Sequence, residues 1–298
     1  MKHSKIAIIG AGRVGTTTAY ALILKNVVAE ILLVDVDPIR CKGEFLDLDD
    51  ALSFCATSSI KDATLAEAAG ADIIIITAGI AQKPGQKRSE LVQTNKKVVD
   101  SIAQGLMPIN PRAIIIMVSN PLDILTLYLR NKKIVPDNQI FGSGTFLDSV
   151  RLAGLIAKKF NIAPESVHAW ILGEHGDSQF AAWSSVLIDG MPIEKLKIEQ
   201  KELDELSQKA KQKAYDIIDC KGSTFYGIAT CVAVLCESII FDQRKIFPVS
   251  IYLPEYDLYM SMPCIVGQNG IENRFPVSLN EREKEQFKNS VLEIRKSI

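Results

Sequence analysis

The segment "ILGEHGDSQF" (171–180) sets His175 in a glycine-rich turn among acids, where the apolar run "AWIL" stops. The chain has only three histidines, at positions 3, 168 and 175. Histidine is the side chain whose ordinary pKa lets it give and take a proton near neutrality, so His175 is the first candidate for acid–base chemistry. In "FLDSVRL" (146–152), Asp148 and Arg151 stand three apart and share one face of a helix. Asn120 lies in "SNPLD", and the polar loop "IAQKPGQKRSE" carries Gln82, Lys83, Lys87 and Arg88. Each group also has an ordinary reading. His175 can occupy a surface turn, and Asp148 with Arg151 can form an exposed pair worth a few tenths of a kcal/mol. Arg88 can be a solvated loop cation, and Asn120 before Pro121 a plain turn.

The elements that must hold these groups alternate. "KIAIIG" (5–10) is followed by a helical stretch over 13–25 and then by "EILLVDVD" (30–37). "ADIIIITAG" (71–79), "RAIIIMVSN" (112–120) and "QIFGSG" (139–144) are further continuous apolar runs, separated by the helical "LVQTNKKVVDSIAQGL" and "DILTLYLR". Runs apolar on both faces with helices between them predict a doubly wound parallel sheet of the α/β class. The second half has longer amphipathic segments at 201–219, 223–242 and 280–297. Its strand-like pieces are "SSVLIDG", "FPVSIYL" and "RFPVSL". A boundary near 143–148 divides a Rossmann-type domain (1–143) from an α+β domain (144–298). The chemistry-bearing residues follow the carboxyl ends of the apolar runs, where ligands bind in open α/β sheets.

"GAGRVG" (10–15) fits G-x-G-x-x-G, follows a predicted strand and opens a predicted helix. Gly10 permits the tight turn, Gly12 lets backbone approach a pyrophosphate, and Gly15 allows helix to pack on strand. The free N–H groups and positive dipole end of the helix then face the phosphates. Asp35 closes the next strand 20 residues after Gly15. Its carboxylate accepts ribose hydroxyls and repels a 2′-phosphate, which favours NAD over NADP.

Composition removes other classes. With 34 basic and 35 acidic residues and a net charge of −1, the chain has no field for nucleic acid or an acidic membrane. The start, "MKHSKIAIIGAG", turns glycine-rich too soon for a signal peptide, and "FYGIATCVAVLCESIIF" is too short and too polar to span a bilayer. A cytoplasmic protein without a metal site is expected. The cysteines at 41, 55, 220, 231, 236 and 264 form no CxxC pair and read as reduced thiols, with Cys220, Cys231 and Cys236 as small core residues.

The motifs "GAGRVG", "LVDVD", "TAGIAQKPGQKR", "VSNPLDILT", "GSGTFLDSVRL", "LGEHGDS" and "KGSTFYGIA", in this order, resemble those of the L-lactate/malate dehydrogenase family, its lactate branch most closely. The likeness runs almost the whole chain, to "MSMPCIVGQNGIE". It implies that His175 exchanges the proton of the substrate C2 oxygen and that Asp148 holds the other imidazole nitrogen. Arg151 would grip the substrate carboxylate in a two-bonded fork. Arg88, on a loop that closes in this family, would polarise the ketone. Asn120 would bond near nicotinamide and substrate, and Thr224 would line the substrate pocket. The cofactor contacts implied are Gly10, Gly12, Arg13, Val14, Gly15, Asp35, Arg40, Thr77, Ala78, Gly79, Val118, Asn120 and Ser143.

Position 82 separates the two activities of the family, in which arginine there pairs with the second carboxylate of oxaloacetate and glutamine goes with pyruvate. Gln82 is neutral, so the resemblance implies pyruvate and L-lactate as the small-molecule pair. A dehydrogenase of malate or of branched-chain 2-hydroxy acids is the neighbouring alternative. A non-catalytic NAD-binding protein is the alternative from another class; it would have lost one of Asp148, Arg151, His175 or Arg88, and all four are present. Many bacterial members bind fructose 1,6-bisphosphate through a histidine and an arginine. Here His168 matches the histidine, but Ala153 stands at the arginine position, so that effector loses its forked partner. A homotetramer is the family expectation and a dimer the alternative, since the chain begins almost at the first strand, without the long arm vertebrate members use in assembly.

Overall fold

The computed structural model describes residues 4–55, 59–80 and 88–298, with Arg88 and Ser89 described in their backbone only. In chain order, the first half runs β1 (Lys5–Ile9), α1 (Arg13–Lys25), β2 (Glu30–Val34), α2 (Pro38–Leu52), β3 (Ser59–Asp62) and α3 (Leu65–Ala68). It continues through β4 (Ile73–Ile76), α4 (Arg88–Gly105), β5 (Ile114–Met117), α5 (Leu122–Arg130) and β6 (Ile140–Gly142). The second half opens with α6 (Phe146–Phe160) and the short strands β7 (Val167–His168), β8 (Ile171–Leu172), β9 (Phe180–Ala181), β10 (Leu187–Ile188) and β11 (Met191–Pro192). Helices α7 (Gln200–Lys221) and α8 (Tyr226–Ile240) follow, then the long strands β12 (Lys245–Leu253) and β13 (Leu258–Gly267), β14 (Gly270–Arg274) and the closing helix α9 (Glu281–Ser297).

The parallel part of the sheet has the order β3-β2-β1-β4-β5-β6, the Rossmann arrangement, whose direction of winding reverses between β1 and β4. Both faces are dry, and the residues alternate between them. Ile6, Ile8, Ile73 and Ile75 enter the core shared with α1, α2 and α8. Ala7, Ile9, Ile74 and Ile76 enter the core shared with α3, α4 and α5. This double burial is why these strands read as unbroken apolar runs.

The sheet does not end with the first half. Ser250 of β12 pairs antiparallel with Gly142 of β6, so β12, β13 and β14 extend it to nine strands. A separate core lies between α6, α7 and the short strands, around Leu152, Ile156, Ile171, Val186 and Leu206.

Several elements differ from the sequence reading. Helix α2 and strand β3 were not anticipated, because in "PIRCKGEFLDLDDAL" only Cys41 and Leu48 are buried and the apolar stripe is too thin to show. Its start is nonetheless marked by Pro38 in the first turn and by the Asp37 side chain, which accepts the Arg40 N–H at 3.1 Å. In "RFPVSL" only Arg274 lies in a strand, since Pro276 has no N–H for a ladder; Val277 and Leu279 instead pack against the buried cluster of Leu172, Phe180 and Ala182. In "SSVLIDG" the strand is confined to Leu187–Ile188. Cys220, expected in the core, is exposed on the last turn of α7, whereas Cys231 and Cys236 are buried. No helix among the described residues is long and apolar enough to cross a membrane.

Candidate active site

The loop between β1 and α1 has the shape its glycines imply. Gly10 has φ +112°, and a Cβ there would lie 2.6 Å from the Ala78 nitrogen. A Cβ on Gly15 would come within 1.9 Å of the Gly10 carbonyl oxygen, which lets α1 seat directly on the turn. Gly12 is the N-cap of α1 and has no side chain to satisfy the first-turn N–H groups of Arg13 and Val14. Among the described residues a Cβ at Gly12 would meet nothing within 4 Å, so they leave this side of the loop open. An uncapped helix start beside open space at the winding reversal is a fit for a dinucleotide pyrophosphate.

Of the other expected cofactor residues, Thr77, Ala78 and Asp35 bond directly to this turn. Thr77 donates its hydroxyl to the Gly10 carbonyl at 2.9 Å, and the Ala78 N–H reaches the Ile9 carbonyl at 2.8 Å. Ser119 Oγ donates to the Ala78 carbonyl at 2.6 Å, tying "TAG" to the end of β5. Val118 bonds to Ile76, and buried Ser143 donates its N–H to Met117. Asp35 accepts the Ala11 N–H at 2.7 Å and the Asp37 N–H at 2.9 Å. A carboxylate has about four acceptor sites, so Asp35 keeps capacity for ribose hydroxyls. Arg40 lies exposed on the first turn of α2 beside Asp37. Arg13 points elsewhere: its guanidinium donates to the Lys221 carbonyl at 3.3 Å and to Ser223 Oγ at 3.2 Å. It thereby ties the phosphate loop to the α7–α8 turn that carries half-buried Thr224.

Asp148, Arg151 and His175 meet. Asp148 Oδ2 lies 3.0 Å from His175 Nδ1, and Asp148 Oδ1 accepts Arg151 Nη1 at 3.1 Å. Asp148 and Arg151 are 3% and 7% exposed, so they do not form the solvated surface pair that i,i+3 spacing often yields. The imidazole keeps 29% of its exposure, enough for its other nitrogen to face a ligand. Burial pushes the His175 pKa down, but the Asp148 charge and hydrogen bond outweigh it and hold the imidazole above its ordinary value. Burial likewise pushes Asp148 up, and the charges of His175 and Arg151 reverse that and hold the carboxyl below its usual range.

Long-range bonds bring these two segments together. The Thr145 N–H, at the start of α6, donates to Ser261 Oγ of β13 at 3.1 Å, and the Thr145 hydroxyl donates to the Ile171 carbonyl. The Ile171 N–H donates to Ser149 Oγ at 2.8 Å. Gly173, at φ +95°, bridges to Ser261, turning the chain from β8 into "EHGDS". Beyond the turn, Asp177 is held by Lys211 and Tyr215 of α7.

Two residues that sequence reasoning passed over organise the rest. Asn95 of α4, 1% exposed, accepts the Ile80 N–H at 2.8 Å and donates to the Asn120 carbonyl at 2.9 Å. It joins the ends of β4 and β5, so that Asn120 follows a fixed backbone. Asp123 of α5 accepts the His175 backbone N–H at 2.8 Å and the Ser250 hydroxyl. A lone acid in the apolar "LDILTLYL" was the available signal. Gln82, Lys83 and Lys87, with the side chain of Arg88, lie outside the described residues; the backbone of Arg88 opens α4. Ala153 packs against the α6–α7 core, and His168 is exposed on β7. Among the described residues, no group of three or more His, Cys, Asp and Glu could hold a metal.

Comparison with known proteins agrees across the whole chain. Residues 4–142 match the NAD binding domain of the lactate/malate dehydrogenases, and residues 145–298 match their alpha/beta C-terminal domain. L-lactate dehydrogenase A of Rhizopus oryzae is 44% identical over 298 residues, covering 99% of this chain and 92% of its own. L-lactate dehydrogenase of Lacticaseibacillus casei is 36% identical over 305 residues, covering 99% and 94%. The crystal structure of the minor L-lactate dehydrogenase from Enterococcus mundtii, in its ligands-bound form, superposes with a TM-score of 0.96 at 37% identity, covering 100% of this chain and 98% of that one. The chain therefore belongs to the lactate/malate dehydrogenase family, an enzyme family with an NAD-binding first domain.

Proposed function

We propose that this enzyme is an L-lactate dehydrogenase that interconverts pyruvate and L-lactate. The observation that carries the reading is the buried Asp148 carboxylate, bonded at once to the imidazole of His175 and the guanidinium of Arg151. When bound, NAD supplies or takes up the hydride at C2. Residues 1–143 hold the dinucleotide through the β1–α1 loop, Asp35 and "TAG", and residues 144–298 bring Asp148, Arg151, His175 and Thr224 to a substrate site that Gln82, Arg88 and Asn120 complete.

His175 gives its proton to the C2 oxygen as pyruvate is reduced and recovers it as lactate is oxidised. Asp148 fixes the tautomer by accepting from Nδ1 and stabilises the imidazolium. Arg151 spends one N–H on Asp148; its remaining donors pair with the substrate carboxylate and fix C2 in place. Arg88 polarises the ketone, Asn120 and Thr224 complete the pocket, and Gln82 meets the pyruvate methyl. The protein is cytoplasmic and a homotetramer. Mixing it with pyruvate and reduced cofactor tests the function directly. NADH is expected to be consumed, NADPH to be spared because of Asp35, and the product to be the L enantiomer. Persistence of NADH with correctly folded protein would exclude the reading.

Arg151→Lys is expected to weaken pyruvate binding while NADH binding is kept. Lysine retains the charge but offers a point contact in place of the fork. A lost charge-assisted bond costs about 1.5–3 kcal/mol, roughly ten- to a hundredfold in affinity. Titration of the NADH complex with pyruvate or an unreactive analogue measures it. Unchanged affinity would take Arg151 out of the substrate site.

A further inference from the structure

Asp123 is 4% exposed and lies on α5, an element that carries none of the expected catalytic groups. One oxygen of its carboxylate accepts the backbone N–H of His175, and the other accepts the hydroxyl of Ser250, itself fully buried on β12. A buried carboxylate is costly unless its lone pairs are bonded, and here both oxygens are used. The arrangement fastens the histidine turn to α5 and to the central sheet at once. We propose, resting on the acid–base reading of His175, that Asp123 is a positioning residue: it fixes the backbone of the histidine turn and places a second negative charge near the imidazole.

The charged groups that face this pair among the described residues come from three elements. Asp148 and Arg151 project from α6, Glu174 precedes the histidine after β8, and Asp123 projects from α5. Asp148 and Asp123 favour the imidazolium, and Arg151 opposes it. Burial pushes the Asp123 carboxyl up to about 6, against the pull of the Ser250 hydroxyl and the His175 amide, so it is ionised at neutral pH and its charge is available. Glu174 pushes in the same direction as burial. Removing the Asp123 charge therefore lowers the His175 pKa. Pyruvate reduction requires the protonated imidazole, so the alkaline limb of its pH profile moves to lower pH.

Asp123→Asn separates charge from shape. The amide oxygen still accepts the His175 N–H, and the amide N–H group still reaches Ser250 Oγ. The experiment is a titration of the His175 imidazole by NMR in the full-length protein, assigned by loss of its signal in a His175 variant, beside the pH profile of kcat/KM for pyruvate. In Asp123→Asn the His175 midpoint and the alkaline limb are expected to fall together by at least about 0.3 pH unit, a twofold loss of the protonated ratio. The low-pH plateau should stay within a few-fold of wild type. Ser250→Ala keeps the carboxyl but strips one bond that favours its ionised form, so a smaller fall in the same direction is expected; this variant carries the test if the first does not fold. A His175 midpoint unmoved in a folded variant, whatever its thermal stability, would overturn the proposal and leave Asp123 a structural residue only. If instead the wild-type alkaline limb does not follow the His175 titration, the acid–base reading fails, while the effect of Asp123 on the imidazole is still measured by NMR.

Discussion

Replacing Gln82 by arginine is expected to move the preference of the enzyme from pyruvate toward oxaloacetate by orders of magnitude in kcat/KM. The two substrates differ at the far end from the carboxylate that Arg151 is proposed to hold: pyruvate presents a methyl group, oxaloacetate a second carboxylate. A neutral amide leaves that carboxylate unpaired in a poorly hydrated site, which is costly. A guanidinium pairs with it and is itself left without a partner when pyruvate binds, so the substitution adds an attraction and a repulsion together. Each effect amounts to a few kcal/mol, and about 1.4 kcal/mol is tenfold. The check is the ratio of kcat/KM for the two oxo acids, in wild type and Gln82→Arg under identical conditions. An unchanged ratio would mean that residue 82 does not face the substrate.

His175→Asn is expected to lower turnover by about 10² to 10⁴, the usual contribution of a positioned general acid. Asparagine has no proton to give at neutral pH. The fold should survive, because the turn is anchored through backbone: the N–H of residue 175 on Asp123, the Gly173–Ser261 bridge, and Glu174 N–H on Ser290. Asp148 also retains its pair with Arg151. Circular dichroism and NADH binding should therefore match wild type while turnover collapses. Near-normal turnover in such a folded variant would remove His175 from the chemistry.

The parts of this molecule that were legible in its sequence are those written in local pattern. Strands β1, β4 and β5 are buried on both faces and appear as runs of isoleucine, interrupted by Ala7 and closed by Met117. The phosphate loop is written in three glycines, two of which have no room for a Cβ. The histidine turn was visible because histidine is scarce here. What stayed hidden depends on contacts between distant segments. That β12 extends the first-half sheet rests on one pairing, Ser250 with Gly142. The attachment of α6 to β8 and β13 rests on Thr145, Ser149 and Ser261, residues that look like ordinary polar positions in the sequence. Asn95 and Asp123 were missed for the same reason, since their partners lie 15 to 127 residues away. Helix α2 was missed because its outward face carries most of its residues.

The most direct measurement of the central claim is the ratio of kcat/KM for pyruvate over oxaloacetate in the unmodified enzyme, with NADH in excess at neutral pH. The cofactor and the proposed acid–base pair and carboxylate fork serve both oxo acids alike and cancel in this ratio, which isolates the contribution proposed for the neutral residue at 82. The expectation is that pyruvate is favoured by about a hundredfold or more, because Gln82, in its proposed place, cannot balance a second buried carboxylate. Equal turnover, or a preference for oxaloacetate, would contradict it.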